Sequence, residues 1–194
     1  MAADRVAHPF AAGTVTGIAA WLTGYLATFV LATDAVREAL TGTELEVVVA
    51  AATDWQLAGW LFFNAHGVAI RSAETPITVG ESTVTLVAES GVTPLYAVPF
   101  LTLVASGAVL AWHYREPVET KTDAAILGAT VSVGYLGCMG IGLLAFGVSL
   151  EGSTLRPDLL TGVVLGLASP IAFGSLGGLV SFLIASRAAV TADE

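Results

Sequence analysis

Charged side chains are absent from four long stretches of this chain, Phe10–Thr33, Ser90–Tyr114, Ala124–Leu150 and Leu159–Ser186, of 24, 25, 27 and 28 residues. All 23 charged residues fall outside them, in the gaps and at the two ends of the chain. A helix rises about 1.5 Å per residue, so about 20 apolar residues cross a hydrocarbon core roughly 30 Å thick. Each stretch is long enough, and backbone groups in lipid must pair within their own segment, so each predicts a transmembrane helix. The pattern predicts an all-α membrane protein. It is a four-transmembrane-helix bundle forming one integral domain over 1–194, with spans at about 10–33, 90–114, 124–150 and 159–186. Phe10–Thr33 exceeds a secretory h-region and reads as a retained first span.

The connection at 34–89 has a pattern of its own. Trp55–Ile70 carries no charge but has only 16 residues between Asp54 and Arg71. That length suits an interfacial or re-entrant helix; extending it back through Val47–Thr53 would instead make a fifth span interrupted by Asp54. Trp55, Gly59, Phe62 and His66 recur at helical spacing on one side, and Trp60, Phe63 and Gly67 on another. Such a helix should be covered on more than one face. Ile77–Val79 and Thr83–Val87 are β-branched, alternate, and flank Gly80-Glu-Ser82, which predicts a short β-hairpin in the same insert.

Lipid gives helices no hydrophobic reason to associate, so small residues must let backbones approach. Gly13 and Gly17 form a GxxxG pair in the first span, and Gly134, Cys138 and Gly142 a stripe at spacing four in the third. Gly162 with Gly166, and Gly174 with Gly178, form two pairs on either side of Pro170, a residue that commonly kinks a helix. These positions predict helix packing within one bundle, with homo-oligomerisation as the second use of the same faces.

Composition sharpens the picture. Hydrophobic residues make up 55% of the chain and mean hydropathy is +0.81, more apolar surface than a soluble domain of 194 residues can bury. Sixteen acids face six Arg and one Lys, a net charge of −9. That balance resembles proteins of salt-loving archaea, whose acidic surfaces stay hydrated in concentrated salt, and it argues against a nucleic-acid partner. Placing the N-terminus inside puts Arg5, Arg115, Lys121 and Arg187 in short cytoplasmic segments. Both termini are therefore expected in the cytoplasm and 34–89 outside the cell membrane, with lipids, a second copy or another membrane protein as partners. A lone cysteine, Cys138, allows no intrachain disulfide.

Catalytic chemistry is hard to find. The spans offer only Thr, Ser, Tyr and Cys as polar groups, whereas pumps and intramembrane hydrolases place ionisable residues in the bundle. No HExxH, paired-cysteine or GxSxG pattern occurs, so no cofactor, no metal and no enzymatic activity are expected. The chain's only Asn and only Gln, with two of its four Trp, fall within Trp55–His66. Trp55, Trp60, Asn64 and His66 are accordingly candidate docking or interaction residues. A hydrogen-bonded role fixing this helix to the bundle is set against a ligand or lipid-headgroup site.

The segment Gly59–Val68, GWLFFNAHGV, lies behind a Gly-rich first span and ahead of a Thr/Val-rich stretch and three further spans. In this it resembles an uncharacterised family of haloarchaeal multi-pass membrane proteins. The resemblance implies a four-span protein in an extreme-halophile envelope and brings no activity or catalytic residues with it. It singles out Trp60, Asn64 and His66. The leading functional expectation is a non-enzymatic accessory or scaffold component that acts by assembly. The alternative is a small transporter or channel component binding a neutral solute where Pro170 unwinds the fourth span.

Overall fold

A computed structural model of the protein describes residues 2–72, 83–114, 118, 120–150 and 152–192, with side chains over 10–188. The elements are α1 (Ala2–Leu40), α2 (Glu46–Ala51), α3 (Asp54–Ala65), β1 (Ile70–Ser72), β2 (Thr83–Val84) and α4 (Leu86–Glu89). A 3-10 turn (Thr93–Tyr96) leads into α5 (Ala97–His113), followed by α6 (Lys121–Ala129), α7 (Val131–Ala145), β3 (Val148–Leu150), β4 (Ser153–Pro157) and α8 (Leu159–Ala192). Among the described residues four helices are long and apolar enough to cross a membrane: Phe10–Leu40, Thr93–His113, Lys121–Ala145 and Leu159–Ala188. Only 28 to 44% of each hydrophobic window is buried within the chain. Val30, Leu144 and Leu160 are 79, 78 and 76% exposed. Apolar surface of that extent is compatible with a multi-pass membrane protein.

The helices depart from the predicted spans at their ends. Helix α1 continues seven residues past Thr33, through Asp34, Arg37 and Glu38, because a charge ends an apolar run without ending a helix. The third stretch stops being helical at Ala145, and Val148–Leu150 forms a strand instead. Helix α8 runs through Pro170 without interruption.

The all-α expectation is corrected by a four-stranded antiparallel sheet of order β2-β1-β4-β3. Strands β3 and β4 pair Leu150 with Ser153 across a two-residue connection, and Gly152 supplies the positive φ (86°) that tight hairpins use. The predicted hairpin partner Ile77–Val79 lies outside the described residues. Thr83–Val84 is a strand, but it pairs with Ile70 and Arg71, and Leu86–Glu89 is helical. Arg71 stands opposite Arg156 in the register, a repulsive cross-strand pair, and its Nε lies 3.4 Å from Asp158 Oδ2. Asp158 also caps α8 by accepting from the Thr161 amide at 2.9 Å. Burial alone raises this carboxyl, but the Thr161 hydrogen bonds and the Arg71 guanidinium outweigh it and hold the group below its ordinary value.

The chain divides into two compact units: Met1–Leu22, Phe100–Cys138 and Gly166–Glu194 make the first, Thr23–Pro99 and Met139–Leu165 the second. In the first, glycine sets the packing. Added side chains at Gly13 and Gly17 of α1 would meet Thr130 and the Val131–Tyr135 backbone, and one at Gly134 would meet the Thr14 carbonyl. These matches rise together, so α1 and α7 run in the same direction. Gly107 of α5 and Gly128 of α6 both face the Gly174 carbonyl of α8, and Gly178 faces the Ala124 carbonyl. Phe100 meets Phe173 at 4.5 Å and Gly177 faces Val104 and Ala108, so α5 runs with α8, and α6 runs against it. The start of α6 and the ends of α5 and α8 therefore share one end of this unit.

Candidate functional site

The second unit is organised around α3, the helix predicted to be interfacial or re-entrant. Twelve residues give it a length of about 18 Å, too short to span a bilayer core. The five-span alternative fails because α2 ends at Ala51 and Ala52 is extended (φ −84°, ψ 136°), so no continuous helix joins Val47 to Ile70. Every residue from Leu57 to Ala65 is buried. This matches an apolar sequence with no polar face to offer.

Both ends of α3 are closed by local chemistry. At its start, Gln56 Oε1 accepts from the Thr53 amide at 3.1 Å and from the Thr53 hydroxyl at 2.6 Å. At its end the Gly67 amide donates to the Asn64 carbonyl at 2.8 Å and the Val68 amide to the Phe63 carbonyl at 3.0 Å. This is a Schellman closure, and it needs the left-handed Gly67 (φ 82°). Arg37 secures the approach from α1. Its guanidinium donates to Asp54 Oδ1 at 2.8 Å and to the Val49 and Ala52 carbonyls at 2.9 and 2.8 Å, holding the bend between α2 and α3.

The sequence-predicted residues have distinct placements. Trp60 is fully buried and its indole Nε1–H donates to the Phe146 carbonyl at 2.7 Å. Gln56 Nε2 donates to the neighbouring Gly147 carbonyl at 2.9 Å. Those two carbonyls lie where the chain leaves α7, with no further helical turn to pair them. Trp55 is half exposed; its ring lies 5.5 Å from that of Phe146, and its carbonyl accepts from the Tyr25 hydroxyl at 2.9 Å. Asn64 is buried, donating to the Val68 carbonyl at 2.7 Å, while its Oδ1 has no hydrogen-bond partner among the described residues. His66 Nδ1 lies 2.7 Å from the Phe62 carbonyl. A carbonyl only accepts, so Nδ1 carries the proton and Nε2 is the acceptor in the neutral ring.

Trp55 and Trp60 are thus brought together around Phe146, whereas Asn64 and His66 serve the far end of α3. Phe146 is the residue that sequence reasoning missed. Its ring stacks on Tyr25 at 5.7 Å, meets Phe63 at 6.1 Å, and occupies the space where a Gly59 side chain would stand. The helix-packing glycines of this unit face side chains as well: Gly142 meets Phe63 and Phe146, and Gly162 meets Leu143. Gly166 and Pro170, in the first unit, are buried. Among the described residues no group of three His, Cys, Asp or Glu could hold a metal.

Burial holds the His66 pKa down from 6.5 to about 4, against the smaller opposing effect of the Phe62 bond. The unfolded chain takes up this proton near 6.5 and the folded chain only near 4. The stabilisation from a neutral His66 is complete above pH 6.5 and is lost as pH falls toward 4. His66→Gln keeps a donor for the Phe62 carbonyl but cannot titrate. Unfolding in mild detergent across pH 8 to 4 should show the wild type losing ground to the variant below about 6.5; parallel curves would mean that His66 does not titrate as its burial requires.

A family model described as a family of unknown function (DUF7978) matches residues 2–185. No curated protein and no solved structure matches the chain.

Proposed function

We propose, starting from a chain that belongs to the DUF7978 family of unknown function, that it is a non-enzymatic integral protein of the cell membrane acting by assembly, as an accessory or scaffold component. The observation that carries this reading is a division of labour between surfaces. The long helices turn large apolar side chains outward, while Gln56, Trp60, Asn64 and His66 direct their hydrogen bonds to backbone carbonyls within the second unit. Side chains engaged in that way hold a fold together and leave little for turnover. Trp55, the partly exposed member of the group, lies beside Asp54 on the segment that a partner could reach.

The orientation we propose has both termini in the cytoplasm and 34–89 outside. Its support is that Lys121 begins α6 and Arg187 lies in the last third of α8, toward the same end of the first unit, with Arg5 near the start of α1 and Arg115 just after α5 in sequence. The acid-rich composition favours a halophilic archaeal envelope. A neutral-solute pathway at Pro170 lacks the unwound helix it requires, since α8 is continuous there. The small-residue faces at Gly13, Gly17, Gly134, Gly174 and Gly178 already meet neighbouring helices, so assembly would use other surfaces. Crosslinking in native membranes, followed by mild-detergent purification, tests the proposal. Adducts containing a second membrane protein or a second copy are the expected result, and recovery of the uncrosslinked monomer alone would overturn it.

A further inference from the structure

The two faces of the sheet in the second unit differ in chemistry. Residues directly opposite in an antiparallel register share a face, and successive residues alternate between faces. Ile70, Val148 and Pro157 therefore point to one side, and all three are buried. The other side carries Thr83, Arg71 and Arg156 in one row across β2, β1 and β4. Thr154 and Ser149 pair in the next row. Each of these outward side chains can donate a hydrogen bond, and none is an acid.

Arg71 and Arg156 stand with their Cα atoms about 5 Å apart, the spacing of an antiparallel pair. The chain has only six Arg and one Lys against sixteen acids, yet two of its cations face each other here. Like charges directly opposite destabilise a strand pair, so the register carries a cost that packing does not explain. Asp158 does not balance it. This carboxylate approaches Arg71 only at Nε, at 3.4 Å, and its other oxygen accepts from the Thr161 amide. Neither guanidinium makes a hydrogen bond to any described residue. Arg37 shows the contrast, with its donors taken by Asp54 and two backbone carbonyls. The other acids nearest in sequence, Glu74, Glu81 and Glu151, lie outside the described residues.

We infer that this outward face of the sheet binds a phosphate-type oxyanion between Arg71 and Arg156, with the flanking hydroxyls as further donors. Two guanidinium forks present paired N–H groups that match the edges of a tetrahedral oxyanion, and a doubly charged group neutralises both. Bound there, it turns the repulsive register into a bridged one. Arg156 lies three residues before Leu159, where α8 begins, and the Asp158 amide ties that junction to the Ala69 carbonyl at 2.9 Å. A lipid phosphate and a free phosphate ion present the same chemistry at such a place. The inference stands on the sheet face alone and does not need the assembly reading.

The full chain in a neutral, phosphorus-free detergent is equilibrated at fixed ionic strength with radiolabelled inorganic phosphate, and separately with a radiolabelled short-chain phosphatidic acid. Label retained above that in empty micelles is counted. Saturable binding is expected; retention of phosphate assigns a soluble ligand, and retention of phosphatidic acid alone assigns a lipid headgroup. Arg156→Gln should weaken binding about ten-fold or more, the weight of a charge-assisted contact. Arg156→Lys, which keeps the charge and loses the fork, should fall between.

Unfolding in phosphate-free buffer supplies a readout that a structural arginine would move the other way. Arg156→Gln relieves the repulsion, so it should unfold no earlier than the wild type. Phosphate also stabilises folded proteins generally by exclusion from their surface, so only stabilisation that Arg156→Gln abolishes counts as binding. The inference is overturned if neither probe binds saturably, or if Arg156→Gln binds as the wild type does. Earlier unfolding of Arg156→Gln without phosphate also overturns it, because Arg156 would then be paired within the fold.

Discussion

Trp60→Ala is expected to cost about 3–5 kcal/mol, the range for removing a large aromatic side chain from a packed interior. Trp60 has no exposed surface, and its neighbours along α3, from Leu57 to Ala65, are all buried, so little can collapse into the space left. Trp60→Phe separates the two contributions. It restores most of the volume but removes the indole donor to the Phe146 carbonyl. Losing one partner of a buried hydrogen bond costs about 1–3 kcal/mol. The same carbonyl belongs to the residue whose ring packs on Tyr25 and Phe63, so loosening it should disturb the exit from α7 into β3. Equilibrium unfolding in mild detergent reads both variants. If Trp60→Phe unfolds with the wild type, the indole bond contributes nothing and α3 is held by apolar contact alone.

The sequence made the long helices legible because an uninterrupted run of more than about 20 uncharged, apolar residues reads directly as a helix long enough to cross a bilayer. It also marked α3, where rare residues gather in an apolar 16-residue stretch. What stayed hidden was local. The charge-free run at 124–150 contains the end of α7 and the start of β3, and a count of charges cannot register the change from helical to alternating period at Phe146-Gly147. The β1–β4 pairing joins Ile70–Ser72 to Leu155–Pro157, more than 80 residues away in sequence, and nothing within either segment names the other. Phe146 escaped notice for the same reason: its partners Tyr25, Trp55 and Phe63 come from α1 and α3. Gln56 and Asn64 were conspicuous by rarity, and each donates to a backbone carbonyl.

Small residues in apolar helices invite a single interpretation, yet the glycines of this chain fall into two physical classes, and one pair of substitutions should separate them. At Gly128 an added side chain would meet the Gly174 carbonyl and approach the Gly178 amide, both backbone atoms of α8 that cannot rotate away. Gly128→Leu must therefore push α6 off α8, and since Gly107 packs on the same Gly174 carbonyl, α5 would have to move as well. Overpacking of this kind costs about 1–3 kcal/mol where side chains can yield, and more where backbones must separate. At Gly137 the space is open and the position faces outward on α7. Gly137→Leu should leave stability within about 1 kcal/mol, with the sign toward stabilisation, because glycine in a helix interior is disfavoured by about that amount relative to good helix formers. Both variants measured by unfolding in one detergent should differ by several kcal/mol, a factor of well over ten in the folded fraction. Equal stabilities would mean that α6 and α8 do not approach through Gly128, Gly174 and Gly178, and the arrangement of the first unit would have to be redrawn.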